Sequence, residues 1–187
     1  MKMAFLTEEQ INAIGFKYIG DNVKISDKAA IYNPDLISIE DNSRVDDFCL
    51  LSGNIKIGKN VHVAAYCNLA GGELGIEMED FSGLAYGCHV FTQSDDYSGE
   101  TMTNPTVPKK YKKETYKKIH IGKHVIVGTK SIILPGVNVA EGCSVGAMTM
   151  LTKSTQPWGI YFGIPAKRIK ERKRELLELE SEYIKEY

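Results

Sequence analysis

The sequence lacks several features that would assign it to a specialised class of protein. Its 187 residues carry a net charge of −1, so no strong field attracts nucleic acid or a membrane surface. No apolar run approaches the ~18 residues of a transmembrane helix, and the N-terminus lacks the apolar core and cleavage site of a signal peptide. We therefore expect one cytoplasmic domain, with no nucleic-acid partner and no membrane insertion.

An apolar residue recurs every six positions along most of the chain. Such a period is typical of a β-helix, in which three six-residue units form one triangular coil. One coil cannot bury its own apolar face, so only a stack of coils is stable. The recurring residues are Ile19, Ile25, Ile31, Ile39, Val45, Leu51, Ile57, Val63, Leu69, Met78, Leu84, Val90, Ile121, Val127, Ile133, Val139, Val145 and Leu151. The sequence predicts six coils, which begin at residues 19, 39, 57, 78, 121 and 139.

The four cysteines fit this repeat and form no CxxC pair, which argues against a zinc or redox motif. Each lies four positions after a recurring apolar residue, where the repeat favours small side chains. We therefore expect four buried thiols that act as small hydrophobic groups. They are Cys49, Cys67, Cys88 and Cys143.

The repeat stops after Asp95 and resumes in phase at Ile121, so residues 96–120 are predicted to be a loop extruded at a corner. Long insertions in compact domains are usually functional. This lysine-rich loop is either a solvated surface or a cover for a site on a neighbouring subunit. The predicted organisation is one domain, 1–187, with these parts: a helical cap at 1–18, the β-helix at 19–95 and 121–155, the loop at 96–120 and a C-terminal helix at 165–187.

The helical cap has a recognisable start. Thr7 is the predicted N-cap, and Gln10 completes a capping box three residues later. This helix would cover the lower end of the β-helix, which otherwise exposes strand edges.

The C-terminal third carries a family resemblance. The segments "IHIGKHVIVGTKSIILPGVNVAEGCSVGAMTMLTK" and "GIPAKRIKER", after a long loop, resemble the galactoside and maltose acetyltransferase branch of the hexapeptide-repeat acyltransferases. The stretch "SDDYSG" resembles a subgroup of sugar and polysaccharide acyltransferases. The resemblance implies an all-β, left-handed parallel β-helix that forms homotrimers, with sites between subunits, and that moves acetyl from acetyl-CoA to a sugar hydroxyl.

The resemblance also implies a CoA site. The backbone N–H of Thr129 would help to hold the reacting thioester, and small residues would let pantetheine approach the backbone. Cations in the tail would meet phosphate groups. The predicted cofactor-binding residues are Thr129, Gly146, Ala147, Thr152, Lys153, Lys167, Arg168 and Lys170.

The catalytic positions depart from the family pattern. In the similar enzymes a histidine opens the long loop and acts as the base, but here Asp95 stands at that place and His62 appears one coil lower. The resemblance implies an exchanged pair, with His62 as general base and Asp95 orienting it from a neighbouring chain. His120 is the alternative base, and a third possibility is that no histidine is catalytic. The residues predicted to bind the sugar, chosen for polarity near these positions, are Arg44, Asp46, Tyr66, Asp96 and Tyr97.

The predicted function is acetyl-CoA-dependent O-acetylation of a saccharide or polysaccharide precursor, by direct transfer to a hydroxyl that a neutral histidine deprotonates. The alternative is N-acetylation of a nucleotide-linked amino sugar or an antibiotic, because an amine is a better nucleophile and demands less of the base. A metal-dependent hydratase resembling the γ-type carbonic anhydrases would need three histidines, and it leaves the basic tail without a role. No metal ligands are predicted. A non-catalytic scaffold would have no affinity for CoA.

Overall fold

The computed structural model describes residues 4–186, and its regular structure consists mainly of short parallel strands. The α-helices are α1, Glu8–Ile14, and α2, Leu176–Glu186, and two short 3-10 helices lie at Pro34–Leu36 and Lys109–Tyr111. The strands in chain order are β1 Tyr18–Ile19, β2 Lys24–Ile25, β3 Ala30–Tyr32, β4 Ile37–Ile39, β5 Arg44–Val45, β6 Leu50–Ile57, β7 His62–Val63, β8 Asn68–Met78, β9 Gly83–Leu84, β10 His89–Phe91, β11 Gln93–Ser94, β12 Thr115–Tyr116, β13 Ile119–Ile121, β14 Ile126–Val127, β15 Ile132–Ile133, β16 Asn138–Val139, β17 Ser144–Val145, β18 Met150–Leu151, β19 Gly159–Phe162 and β20 Lys167–Glu171.

Parallel pairing between successive coils creates three faces. The first face contains β1, β4, β13, β16 and the C-terminal halves of β6 and β8. The second face contains β2, β5, β7, β9, β14, β17 and β19. The third face contains β3, β10, β15, β18 and the N-terminal halves of β6 and β8. The predicted β-helix is confirmed.

The recurring apolar residues fill the interior, because every sixth side chain points inward from a strand on one of the three faces. Nearly all of them are fully buried, and the four cysteines are no more than 1% exposed. Hydrogen bonding to the Cys49 and Cys88 thiols, together with burial, raises the pKa of Cys67, so this thiol stays neutral. The interpretation of the cysteines as small core residues is confirmed.

The prediction of six coils was too low. Within residues 4–186 the second face has seven parallel strands, because β19 pairs with β17 beyond the last predicted repeat. The inward residue of β19 is Tyr161, which is 7% exposed. An aromatic residue in this slot breaks the aliphatic pattern, so the β-helix was predicted to end at 155 rather than after Phe162.

Helix α1 has the predicted N-terminus. Thr7 Oγ1 accepts a hydrogen bond from the Gln10 N–H at 3.2 Å, and Gln10 Oε1 accepts one from the Thr7 N–H at 2.9 Å. Ile11 is the buried residue of the helix and joins the core cluster. The helix therefore attaches to the β-helix through one apolar contact face.

The loop begins and ends in a two-stranded antiparallel ladder, in which β11 pairs with β12. Beyond this ladder Ile121 pairs directly with Met78 of the preceding coil. The β-helix thus continues in register as predicted, and the β11–β12 ladder anchors the loop at its base.

The predicted C-terminal helix over 165–187 was wrong in its first part. Residues Lys167–Glu171 form β20, which pairs antiparallel with β19, and α2 begins only at Leu176. The free edge of β19 has unpaired backbone N–H and C=O groups, and this charged segment forms hydrogen bonds with them by adopting a strand conformation. The ends of the predicted caps, residues 1–3 and 187, lie outside the described residues. Neither α-helix within residues 4–186 is long and apolar enough to cross a bilayer.

Candidate functional site

His62 lies at the start of β7 on the second face, where it is held by a carboxylate of the preceding coil. Its Nε2 donates to Asp46 Oδ2 at 2.8 Å, and Arg44 Nε donates to Asp46 Oδ1 at 2.5 Å. The side chain of His62 is 51% exposed, whereas that of Asp46 is only 9% exposed. The structure therefore joins the predicted base to two residues that were predicted to bind sugar.

His62 and Asp95 lie apart within one chain. Asp95 follows β11 at the mouth of the loop, beyond the third face, whereas His62 lies on the second face. Asp95 Oδ1 accepts a hydrogen bond from the Asn104 N–H at 3.3 Å, and Asp95 lines a cavity of about 330 Å³ with Ser52 and Gly72. No hydrogen bond or ion pair joins Asp95 to His62 within residues 4–186.

The neighbouring polar and aromatic residues occupy different environments. Asp96 accepts hydrogen bonds from the Ser98 N–H at 2.9 Å and from Thr101 Oγ1 at 2.8 Å. These bonds lower the pKa of Asp96 to about 2, and they use both carboxylate oxygens to shape the loop. Tyr97 is 92% exposed on the loop, and Tyr66 is 62% exposed at a corner of the β-helix.

A polar cluster at the base of the loop was missed by the sequence reasoning. Glu114 accepts hydrogen bonds from Gln93 Nε2 at 2.9 Å and from Tyr116 OH at 2.8 Å, and it forms an ion pair with Lys112 at 3.2 Å. The side chains of Lys112 and Glu114 are 5% and 9% exposed. Hydrogen bonds, first from Tyr116, lower the pKa of Glu114. Nothing in the six-residue pattern indicates this pairing, because it lies outside the repeat.

The other histidines are engaged elsewhere or exposed. His120 Nδ1 lies 3.0 Å from Asn138 Oδ1, and its Nε2 lies 3.0 Å from Glu79 Oε1, so each ring nitrogen has a hydrogen-bond partner. His124 Nε2 donates to Glu180 of α2 at 2.8 Å. Within residues 4–186 no group of three or more His, Cys, Asp or Glu side chains is arranged to hold a metal ion.

A groove of about 760 Å³ separates the second face from α2, and His62 lies among its lining residues. The β-helix side of the groove is formed by small and apolar side chains, among them Ala64, Ala85 and Ile126, and the helix side by Leu176 and Leu179. The groove therefore leads from the half-exposed imidazole along the apolar surface of the second face.

The residues predicted to contact CoA lie on the last coils. Thr129 follows β14, its carbonyl accepts a hydrogen bond from the Met148 N–H at 2.8 Å, and its own N–H makes no hydrogen bond within the described part of the chain. Gly146 is covered by Phe162 of the same chain, since a Cβ there would lie 2.1 Å from Cδ2 of that ring. Its small size is required by packing within the chain. Ala147 is exposed beside it.

The basic residues of the tail are displayed on a strand. Lys167, Arg168 and Lys170 are exposed on β20, and Arg168 forms an ion pair with Glu171 at 2.8 Å. Thr152 and Lys153 are exposed directly after β18. These cations are therefore exposed on the last coils of the β-helix.

Known proteins include relatives that match this chain over nearly its full length. No family model matches. The dTDP-4-amino-4,6-dideoxy-D-glucose acyltransferase of Escherichia coli is 42% identical over 182 residues, which cover 96% of this chain and 94% of that protein. A second relative is AntD, an N-acyltransferase from Bacillus cereus. The structure of a single-residue mutant of AntD, in complex with dTDP-4-amino-4,6-dideoxyglucose and coenzyme A, is 48% identical to this chain, with a TM-score of 0.98 over 100% of both chains.

Two further matches concern the donor and the fold. AntD has also been solved with dTDP and 3-hydroxybutyryl-CoA, and that structure is 48% identical with a TM-score of 0.97 over 100% of this chain and 98% of the other. A maltose O-acetyltransferase from Clostridium difficile 630 is 23% identical, with a TM-score of 0.56 over 89% of this chain and 75% of that protein, and supports the fold alone. The expected left-handed β-helix is confirmed.

The predicted acetylation of a sugar hydroxyl was wrong. AntD is an N-acyltransferase whose structure holds dTDP-4-amino-4,6-dideoxyglucose, and the Escherichia coli relative is an acyltransferase of the same dTDP-linked amino sugar, whereas the O-acetyltransferase is distant in sequence. The comparisons favour the alternative, N-acylation. The segments on which the resemblance rested do not indicate whether the acceptor is an amine or a hydroxyl.

Proposed function

The chain belongs to the hexapeptide-repeat acyltransferases of the left-handed β-helix type, and we propose that it transfers an acyl group from a CoA thioester to the amino group of a dTDP-linked 4-amino-4,6-dideoxy sugar. The observation that carries this proposal is the full-length similarity to AntD, whose structure holds that amino sugar and coenzyme A together.

The chemistry requires little beyond positioning and one proton acceptor. The neutral amine attacks the thioester carbonyl carbon, a C–N bond forms, the C–S bond breaks and CoA leaves as the thiol. The nitrogen must lose a proton during this sequence, and His62 is the proposed acceptor. Because Asp46 already binds Nε2 of His62, Asp95 is proposed not to orient this imidazole but to supply a carboxylate that accepts a hydrogen bond from the amine. The N–H of Thr129, which makes no hydrogen bond within residues 4–186, is proposed to stabilise the oxyanion.

The donor is proposed to lie along the last coils. Phosphate groups of CoA would meet the exposed cations after β18 and on β20, because charge-assisted hydrogen bonds suit phosphate. Acetyl-CoA is the proposed donor. The proposed contacts are Ala147, Thr152, Lys153, Lys167, Arg168 and Lys170.

The acceptor is proposed to lie between chains of a homotrimer. Within one chain His62 lies on the second face and Asp95 beyond the third. This separation supports a shared site, in which a neighbouring copy brings one of each together. Arg44, Tyr66, Asp96 and Tyr97 are proposed to contact the nucleotide sugar. Light scattering should give three times the chain mass of 20.8 kDa, and a stable monomer at assay concentration contradicts this assembly.

The assay that tests the function compares two acceptors. The protein is incubated with acetyl-CoA and either dTDP-4-amino-4,6-dideoxyglucose or the matched nucleotide sugar with a 4-hydroxyl group. Release of the CoA thiol and the mass of the product are measured. We expect an amide product from the amino sugar alone. Equal turnover of the hydroxyl sugar, or no turnover of the amine, overturns the proposal.

A further inference from the structure

The carboxylate of Asp46 is the central group of a three-residue chain of hydrogen bonds. The whole residue is 6% exposed, and each of its oxygens accepts one hydrogen bond from a side chain. Arg44 donates to Oδ1 at 2.5 Å, and His62 donates to Oδ2 at 2.8 Å. A carboxylate removed from water in this way requires such partners, since an unpaired buried charge is strongly destabilising.

The fold fixes these three side chains without any help from the loop. Arg44 of β5 and His62 of β7 are register partners on adjacent coils, and Asp46 points outward two residues after Arg44. The guanidinium of Arg44 also lies 5.3 Å from the ring centroid of Phe5, and Phe5 is bridged to Ser26 of the first coil. The orientation of the imidazole is therefore set by three coils and the N-terminal segment.

This arrangement decides which nitrogen of His62 reacts. A carboxylate accepts hydrogen bonds and donates none, so Nε2 must carry the proton that points at Asp46. In the neutral ring Nδ1 then holds the free lone pair. No hydrogen bond to Nδ1 is found within residues 4–186, and the side chain is 51% exposed. The nitrogen that is free to take a proton therefore belongs to a side chain that is about half exposed.

Resting on the proposed function, we infer that Asp46 is a positioning residue that holds His62 as the Nε2–H tautomer, so that Nδ1 accepts the proton of the attacking amine. The amine nitrogen forms its bond to the thioester carbon and its proton passes to Nδ1. The resulting imidazolium is stabilised by Asp46, which does not itself become protonated. The C–S bond then breaks, and the proton moves from Nδ1 to the departing thiolate.

Arg44 acts one step further away. Its guanidinium carries a permanent positive charge and forms a short hydrogen bond to Asp46, so it holds this carboxylate in place against the imidazole. Arg44 and Asp46 therefore hold His62 in its position and tautomer. This role is additional to any contact that Arg44 makes with the sugar nucleotide.

The first arm of the test uses Asp46→Asn, which keeps the size of the side chain and removes its charge. We expect kcat to fall by ~10²–10⁴, because the amide favours the wrong tautomer, while the KM for acyl-CoA changes less than about twofold. Asp47→Asn is the matched control, since the neighbouring Asp47 pairs with Lys28 and does not contact His62. Equal losses in the two variants, or an unchanged kcat in Asp46→Asn, overturn the inference.

The second arm reads the tautomer directly and needs no activity. NMR of ring-¹⁵N histidine in the full-length protein, with His62→Gln used for assignment, should show His62 as the Nε2–H tautomer, and Asp46→Asn should lose that preference. If Asp46→Asn fails to fold, Arg44→Gln replaces it. Asp46 then keeps its charge but loses one hydrogen-bond donor, so a smaller fall in kcat and a weakened preference for the Nε2–H tautomer are expected. A His62 ring that is an Nδ1–H tautomer in the unaltered protein overturns the inference. If the amino sugar is not acylated, the proposed function is overturned. The NMR measurement still decides whether Asp46 fixes the tautomer of His62, because it does not depend on turnover.

Discussion

Phe162 of the last coil packs against Gly146 of the preceding coil so closely that a Cβ on Gly146 would lie 2.1 Å from the ring. The two residues follow register partners, since Val145 pairs with Tyr161. Phe162 is 55% exposed, so the ring covers the glycine from the outside. The small residue and the aromatic residue thus form one packing unit at the end of the second face.

Gly146→Ala should therefore destabilise the protein by about 1–3 kcal/mol through overpacking. The cost should fall in a Phe162→Ala background, because the ring that the methyl group meets is gone. Thermal melting of the two single variants and the double variant, at one protein concentration, measures this coupling. Gly83→Ala is the matched control, since a Cβ there meets nothing closer than the His62 carbonyl at 3.4 Å. Additive losses in the double variant contradict the packing unit.

A second prediction concerns the cluster that closes the base of the loop. Glu114→Gln removes the charge that compensates the nearly buried Lys112 and weakens the link to Gln93 and Tyr116. The loop should open more often, and trypsin should cleave at its exposed lysines roughly tenfold faster, as expected when a buried group loses its partner.

Asp95 follows Gln93 by two residues, so kcat should fall as well in Glu114→Gln. Glu100→Gln, on the exposed part of the same loop, is the control and should be cleaved like the unaltered protein. Unchanged cleavage of Glu114→Gln shows that this cluster does not hold the loop.

The six-residue repeat was sufficient to predict the β-helix and its register. It was not sufficient for segments whose conformation depends on contacts between distant parts of the chain. The recurring inward position of each strand is apolar, so the register of residues such as Val63 and Leu84 can be predicted from spacing alone. Lys167–Glu171 reads equally well as helix or strand, and the free edge of β19 decides in favour of a strand. The partnership of His62 with Asp46 was open to prediction, because Arg44 lies one coil before His62 in the repeat and Asp46 faces outward beside it.

A third prediction concerns the attachment of α2. Glu180 contacts Lys123 Nζ at 2.5 Å and His124 Nε2 at 2.8 Å. Burial alone raises the pKa of Glu180, but the hydrogen bonds from Lys123 and His124 outweigh it and hold this pKa below its ordinary value of 4.5. A depressed carboxyl pKa stabilises the folded state above the unfolded pKa, and the contribution is lost as the pH falls through the folded value.

Acidification below about pH 4 should therefore detach α2 before the β-helix unfolds. Hydrogen exchange of the α2 amides, corrected for intrinsic rates, measures this step. Glu180→Gln should produce the same faster exchange already at pH 7, whereas Glu182→Gln, which is exposed on the same helix, should not. Detachment of α2 at the same pH in Glu180→Gln and in the unaltered protein contradicts the role given to this carboxylate.

The last prediction tests whether the site is shared between chains. His62→Ala and Asp95→Ala should each lower kcat by ~10²–10⁴, the usual loss when a positioned proton acceptor or its partner is removed. If one chain supplies His62 and its neighbour supplies Asp95, each mixed trimer regains one intact site. Co-refolding the two variants at equal amounts should then restore about one quarter of the original activity, because each site draws its two halves at random from the two kinds of chain. Mixing without refolding is the control and should restore nothing while the trimers stay intact. Absence of any rescue, with both variants inactive and correctly assembled, means that His62 and Asp95 serve the same chain.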